Sequence, residues 1–140
     1  MTENQNNQPR GIRNNNPGNI RHGANWIGLE PNSKELDKSF CVFKSPVYGI
    51  RALAKVLLNY QRLYKINTIR GIINRYAPPN ENNTDSYINA VANQLGIGAD
   101  DLIDIKEPCI LVVLIKAIIR HENGVQPYDT QTILEGIEIA

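Results

Sequence analysis

The sequence predicts a mainly α fold of the α+β type, with a buried central helix near the C-terminus and a small β-hairpin near the N-terminus. From about residue 45 onward, apolar residues recur at steps of three and four, the period of one helix face. Before residue 46 the chain is rich in Asn, Gly and Pro, and only short aromatic or β-branched stretches interrupt it. The 140 residues have the size of one domain with one core.

Residues 1–9 and 10–46 form the region before the first long helix. The first nine residues are polar and end in proline, so they predict a disordered tail before a single domain over 10–140. "RGIRNNNPGNIR" has the composition of coil, yet Ile12 and Ile20 could anchor an ordered loop. The stretches "NWIGL" and "SFCVF" predict the two strands of the hairpin.

Helix ends are signalled by caps and breakers along the rest of the chain. Ser45 and Pro46 predict the start of a helix over 45–65. The remaining signals are Thr68 before "IRGIINRY", Thr84 or Asn83 before "DSYINAVANQLG" with Gly96 after it, a short helical turn at "ADDLIDI", and a last helix at "TQTILEGIEIA". The stretch 108–124 is apolar on nearly all sides until Arg120, which predicts the buried central helix.

Composition excludes several classes of protein. A net charge of +1 and scattered basic residues give no reason to expect a nucleic-acid partner. The longest apolar run is too short to span a bilayer, so we expect no stable membrane insertion. Two histidines and two cysteines, Cys41 and Cys109, lack the spacing of a zinc site, and we expect neither metal nor cofactor. Cys109 opens an apolar helix, where a small buried thiol fits better than a disulfide.

Glu122 is the carboxylate that the pattern singles out. Stepping back by four, Ile118 and Leu114 lie on the same helix face, so a charged group continues an apolar stripe. Gly124 then ends the helix, where a cleft could open. The negative end of the helix dipole and the apolar neighbours both favour the protonated carboxyl, as a general acid requires. The alternative is that Glu122 is simply solvated beyond the buried turn, or that it pairs with Arg120 or His121.

Glu81 is the competing candidate for the acid. It lies in "PPNENNTDSY", a loop between two predicted helices, and Asp85 follows it closely. Such loop acids usually order the start of a helix, but they can also act in a binding loop. Both hypotheses stay open at this stage.

Three sets of motifs resemble known families. "INRYAPPNENNTDSYINAVANQLG" resembles the C-terminal part of soluble lytic transglycosylases, with Tyr76 in the loop and Thr84 and Tyr87 in a Thr-x-x-Tyr helix. "NNPGNIR", "WIG" and "FCVFKSPVYGIRAL" resemble bacterial glucosaminidases. The chain from Arg10 to Ala140 resembles small phage-encoded proteins of the lysozyme-like superfamily, which share "RGIRNNNPGNIR" and "IIRHENG".

The resemblance departs from those enzymes in the order of its parts. Their catalytic Glu precedes the Asn loop, whereas "RHENG" comes last here. A circular permutation reconciles the two orders and implies that "NNNPGNI" lines a cleft beside Glu122. The resemblance then implies cleavage of peptidoglycan glycan strands, by a lytic transglycosylase or by a muramidase with Glu81 or Asp85 as second carboxylate.

The same resemblance implies the remaining site residues and the setting. The side chains expected to hold acetamido sugars are Asn16, Asn19, Trp26, Tyr76, Thr84 and Tyr87. Lacking a signal peptide, the protein is expected to be made in the host cytoplasm and to act in the bacterial cell wall or periplasm, from the virion or at lysis. Its expected partners are peptidoglycan and other phage virion proteins. The alternative function is a non-catalytic virion structural or cell-wall-binding protein.

Overall fold

The computed structural model describes residues 7–80 and 82–140. Most of the predicted tail and the candidate acid Glu81 therefore lie outside the described residues. The helices within the described part are α1 Arg10–Arg13, α2 Ser33–Leu36, α3 Pro46–Tyr64, α4 Ile69–Tyr76, α5 Thr84–Leu95, α6 Pro108–Asn123 and α7 Thr130–Glu138. The predicted mainly α class is confirmed, and the five longer helices begin and end close to the predicted positions.

Helix α6 is the buried centre of the fold, as its apolar sequence predicts. It packs against α5 and also contacts α1, α3 and α7, while α3 and α7 form the largest helix pair. Seven of its residues are buried: Leu111, Val112, Leu114, Ile115, Ala117, Ile118 and Ile119. These side chains belong to the main hydrophobic cluster of the core, and removal of each large one from water stabilises the fold by about 1.5–3 kcal/mol.

Side-chain caps fix the ends of the helices around α6. The Thr68 and Asp129 side chains accept backbone N–H groups in the first turns of α4 and α7. For α5 the cap is Asn83, whose side chain accepts the Ser86 N–H, and Gly96 ends that helix with a φ of 70°. The predicted helical turn at "ADDLIDI" is wrong. That segment is a turn followed by coil, and its Ile103 N–H is donated to Asn67.

The predicted β-hairpin is reduced to two isolated antiparallel bridges, Arg21 with Phe40 and Leu29 with Phe43. No longer strand forms in the described part of the chain. Backbone bonds still join the two segments, since the N–H groups of Glu30 and Lys44 donate to the carbonyl oxygens of Val42 and Gly28. The N–H of Val42, however, donates to the side chain of Ser33 in α2 and is lost to a regular ladder.

Asp37 anchors the N-terminal lobe, the part of the described chain that precedes α3. Its carboxylate accepts five hydrogen bonds: two from Arg10, one from the side chain of Asn14, and one each from the backbone N–H groups of Ser39 and Phe40. Asp37 itself is buried. The Arg10 guanidinium, together with these further donors, holds the pKa of the Asp37 carboxyl well below its usual range.

The variant Asp37→Asn is expected to lower the free energy of unfolding at pH 7 by about 2 kcal/mol, because an amide cannot accept all five bonds. The pKa of Asp37 is lower in the folded state than in the unfolded state, where it is ~3.9. The stabilisation is therefore fully present well above pH ~3.9 and is lost as the pH falls below that value. Urea unfolding between pH 7 and pH 3 should show the difference from wild type shrinking. The exposed pair of Arg70 and Asp100 is the matched control, and Asp100→Asn should change little. An equally small effect of both variants would contradict the assignment of Asp37 as an anchor.

The segment 10–21 consists of the short helix α1 and an ordered loop, 14–21, that follows it. Asn15 and Asn19 both adopt the left-handed conformation with φ of 53°, which asparagine tolerates better than most residues. Asn16 is fully buried, and its side chain bonds the backbone of Ile20 and Cys41. Packing and these bonds explain why a stretch with the composition of coil has one conformation.

Gly49 in α3 lets the backbone of this loop pack directly against the helix. A methyl group at position 49 would overlap the carbonyl oxygen of Asn15 and would come to 3.0 Å from Pro17. The loop backbone thus lies directly on the helix, at a distance that only glycine permits.

Both cysteines are free thiols. Cys41 is buried, but Cys109 is exposed on the first turn of α6, so the prediction of a buried thiol there is wrong. The physical reason is that the apolar stripe of α6 begins at Leu111, two residues further on. Within residues 7–80 and 82–140, no helix is both long enough and apolar enough to cross a membrane.

Candidate active site

Glu122 lies in the last turn of the buried helix α6. Ile118 and Leu114, which lie one and two turns earlier on the same helix face, are fully buried. Glu122 itself is half-buried, at the point where the helix leaves the core. Gly124 ends the helix with a φ of 77° and turns the chain away. The sequence pattern therefore indicated correctly that this carboxylate sits between the core and solvent.

Both oxygens of Glu122 accept hydrogen bonds from neutral donors. The side-chain amide of Asn19 donates to Oε1 at 3.1 Å, and the hydroxyl of Tyr87 donates to Oε2 at 3.0 Å. The first donor comes from the Asn-rich loop and the second from α5, so three distant parts of the chain meet at one carboxyl group. Such bonds fix the orientation of a side chain that would otherwise rotate freely.

Tyr87 holds Glu122 from the protein side. It is almost completely buried, and its ring stacks on His121 with centroids 3.8 Å apart and planes 21° apart. Burial, and then the negative charge of Glu122, raise the pKa of the Tyr87 hydroxyl far above its ordinary value. The hydroxyl therefore stays protonated at neutral pH and donates to Glu122.

Tyr76, at the end of α4, holds the loop in place. Its hydroxyl donates to the carbonyl oxygen of Gly18. Burial, and then the charge of Glu122, raise the pKa of Tyr76 well above its ordinary value, so this hydroxyl also stays protonated and donates.

Asn123 ties the same loop to α6. Its side-chain amide donates to the carbonyl oxygens of Pro17 at 2.8 Å and of Ile119 at 2.9 Å. The loop is therefore bonded to the residue next to Glu122 as well as to Glu122 itself.

A cavity of about 300 Å³ opens beside Glu122. The residues that line it are Gly18, Asn19, Arg21, Phe40, Tyr60, Tyr76, Ala77, Asn82 and Glu122. Aromatic rings, amide groups and one carboxylate share this lining, which is the mixture that binding sites for polar ligands present. A larger cavity, of about 740 Å³, lies elsewhere and has no Asp or Glu side chain in its lining. Glu122 is therefore the stronger candidate for a functional group, because size alone supplies no reactive group.

The structure brings three predicted site residues together in this cavity, namely Asn19, Tyr76 and Glu122. It also shows that Asn16 and Thr84 are placed differently from the prediction. Asn16 is fully buried with its amide used inside the loop, and Thr84 is buried and donates to the carbonyl of Ala77. These two polar side chains stabilise turns and are not exposed to a ligand.

Two other predicted ligand contacts also need correction. Tyr87 is buried behind Glu122, so it positions the carboxylate and does not face the cavity. Trp26 packs on Phe43 and Ala52 and lines a separate cavity of about 430 Å³. Stacking of Trp26 on a sugar beside Glu122 does not fit this position.

Sequence reasoning did not identify Arg21, Phe40, Tyr60 and Asn82 as lining residues. Tyr60 lies in a stretch whose sequence predicts only the helix α3, and Phe40 lies in a stretch whose sequence predicts only a strand. Their convergence depends on tertiary packing and has no local signal. For Asn123 the sequence did contain a local signal, because this residue directly follows Glu122 and precedes Gly124, the glycine that ends the helix.

The histidines serve contacts within the protein. His22 Nε2 lies 2.6 Å from the carbonyl oxygen of Asp37, and His121 stacks on Tyr87. Among the described residues, no group of three or more His, Cys, Asp or Glu side chains could hold a metal ion.

No protein-family model matches the chain. The chain is similar to protein P5 of Pseudoalteromonas phage PM2, with 45% identity over 134 residues that cover 92% of this chain and 80% of the phage protein. An identity this high over most of both chains reflects common descent and a common fold. The chain therefore belongs to the family of the phage protein P5.

Proposed function

We propose that this protein cleaves the glycan strands of peptidoglycan with Glu122 as the general acid. The observation that carries the proposal is the fixed carboxyl group of Glu122 at the mouth of a polar cavity, held by Asn19 and Tyr87. A positioned acid within reach of a glycosidic oxygen is the first requirement of this reaction. Membership in a phage protein family agrees with a role in breaching the bacterial cell wall.

The position of the Asn-rich loop supports the lysozyme-like interpretation of the sequence. In the resembling enzymes the catalytic Glu and the Asn loop lie together, although their order along the chain is the reverse. Here Asn19 donates to Glu122 across 103 residues of sequence. A circular permutation accounts for that reversal while it keeps the acid and the loop together.

Glu122 would give its proton to the oxygen that leaves when the bond from C1 of the sugar breaks. In the transglycosylase route the C6 hydroxyl of the same sugar then attacks C1. Its proton returns to Glu122, so the acid is regenerated and a 1,6-anhydro ring closes. The amide of Asn19 would hold the acetamido or hydroxyl groups beside the reacting bond once substrate enters.

The transglycosylase route is favoured over a two-carboxylate mechanism. Among the residues that the structure describes, Glu122 is the single carboxylate in the lining of the cavity, and Asp85 is an exposed residue of the first turn of α5. A retaining hydrolase needs a second carboxyl group about 5 Å away, and an inverting one needs it somewhat further. Glu81 is the remaining candidate for that role.

A non-catalytic virion or cell-wall-binding protein is the second candidate function. It is favoured by the observation that both oxygens of Glu122 already have donors within the protein, as in a carboxylate that serves only to join α5, α6 and the loop. Purified sacculi distinguish the two functions. We expect the wild-type protein to reduce the turbidity of a sacculus suspension, whereas a binding protein would sediment with the sacculi and leave the suspension turbid.

A further inference from the structure

The guanidinium group of Arg21 lines the cavity of Glu122 and lies against an aromatic ring of the same lining. It is 4.9 Å from the centre of the Phe40 ring. A second lining ring, Tyr60, also has a guanidinium group over it, that of Arg75, at 5.4 Å. Stacking holds a guanidinium flat and leaves its N–H edge free to bind a second group.

Arg21 differs from its neighbour Arg10, although both lie on Phe40. Arg10 forms an ion pair with Asp37, at 2.7 Å, so its charge is compensated. Arg21 is exposed, lines the cavity, and makes no ion pair with any residue that the structure describes. A positive charge in the lining of the same cavity as the proposed acid, Glu122, fits recognition of an anionic part of the substrate.

We infer that Arg21 binds the carboxylates of the peptide stems and so selects peptide-bearing glycan strands. This inference rests on the proposed function. The glycan backbone of peptidoglycan is built of neutral amino sugars, and its negative charges lie on the peptides attached to alternate sugars. Guanidinium groups match carboxylates through two parallel hydrogen bonds, whereas neutral hydroxyl groups are served by the amides of Asn19 and Asn82.

The experiment compares intact sacculi with sacculi from which an amidase has removed the peptide stems and in which the lactyl carboxyl groups freed by that cleavage have been converted to amides, so that the stripped strands carry no carboxylate. For each material we would measure both the rate of cleavage and the fraction of protein that sediments. Wild type should prefer intact material, and Arg21→Gln should lose about five- to tenfold on intact material while it keeps its rate on stripped strands. Arg21→Lys should lose part of the preference, since lysine keeps the charge but not the paired geometry.

The matched control is Arg62→Gln. Arg62 is also exposed, but it donates to Asn59 of its own helix and does not line the cavity of Glu122. This variant should behave as wild type on both materials.

Failure of the inference and failure of the proposed function give different results. Equal losses by Arg21→Gln on both materials, or a wild type without preference, would overturn the role of Arg21. A wild type that cleaves neither material would overturn the proposed function. In that case, weaker sedimentation of Arg21→Gln with intact sacculi alone would still support recognition of the peptide stems, and unchanged sedimentation would overturn it.

Discussion

Glu122→Gln is expected to lower the rate of peptidoglycan cleavage by about a hundredfold or more while the fold survives. The glutamine keeps the size and shape of the side chain but cannot donate a proton. It also keeps both contacts, because its oxygen can accept from Asn19 and its amide can donate to the hydroxyl of Tyr87, which is able to accept. The rate is measured as loss of turbidity of purified sacculi, and the fold as the melting temperature.

Two further variants complete this test. Glu138→Gln changes an exposed carboxylate of α7 outside the cavity and should leave the rate unchanged. Glu81→Gln tests the competing acid and should be milder than Glu122→Gln if Glu81 only orders its loop. If Glu81→Gln abolishes cleavage and Glu122→Gln does not, the acid belongs to the loop 78–83. If Glu122→Gln mainly lowers the melting temperature, the carboxylate is a structural link.

Gly49→Ala is expected to have the largest effect on stability, a loss of about 3 kcal/mol or more in the free energy of unfolding. The added methyl group would occupy the position of the Asn15 carbonyl oxygen. That oxygen belongs to the backbone of a loop that is itself bonded to α6, so neither partner can move by a side-chain rotation. Displacement of the loop would also carry Asn19 away from Glu122, and cleavage should fall together with stability.

Gly71→Ala is the control for this variant. Gly71 lies within α4, where an added methyl group comes to 2.9 Å from the Cγ2 of Ile66, a side-chain atom, and to 3.2 Å from the Oγ1 of Thr68. We expect a change of about 1 kcal/mol or less, because alanine also favours the helix. Urea unfolding measures both variants, and a Gly49→Ala protein as stable as wild type would show that the loop does not depend on this close approach.

The helices could be predicted because their signals are local. The apolar face of α6 and its terminating Gly124 are visible in the sequence, and together they located Glu122. The cap at Thr68 was visible for the same reason, whereas the cap at Asp129 was not predicted. A helical period constrains which face of each segment is buried, even when the partner of that face is unknown.

The N-terminal lobe could not be predicted because its structure depends on contacts between distant residues. Nothing in "NNNPGNI" indicates that Asn16 is buried, that Gly49 accommodates the loop, or that Asp37 collects five donors. The same limit applies to the cavity. Arg21 and Tyr60 lie 39 positions apart and meet at its walls only through the packing of the lobe on α3.

The most direct test of glycan-strand cleavage by Glu122 is mass spectrometry of the soluble fragments released from purified sacculi. Wild type should release muropeptides with 1,6-anhydro ends, and Glu122→Gln should release about a hundredfold less. Reducing ends in place of anhydro ends would replace the transglycosylase route by hydrolysis. Sacculi that stay intact and retain the wild-type protein in the pellet would contradict the proposed enzyme activity and identify a binding protein.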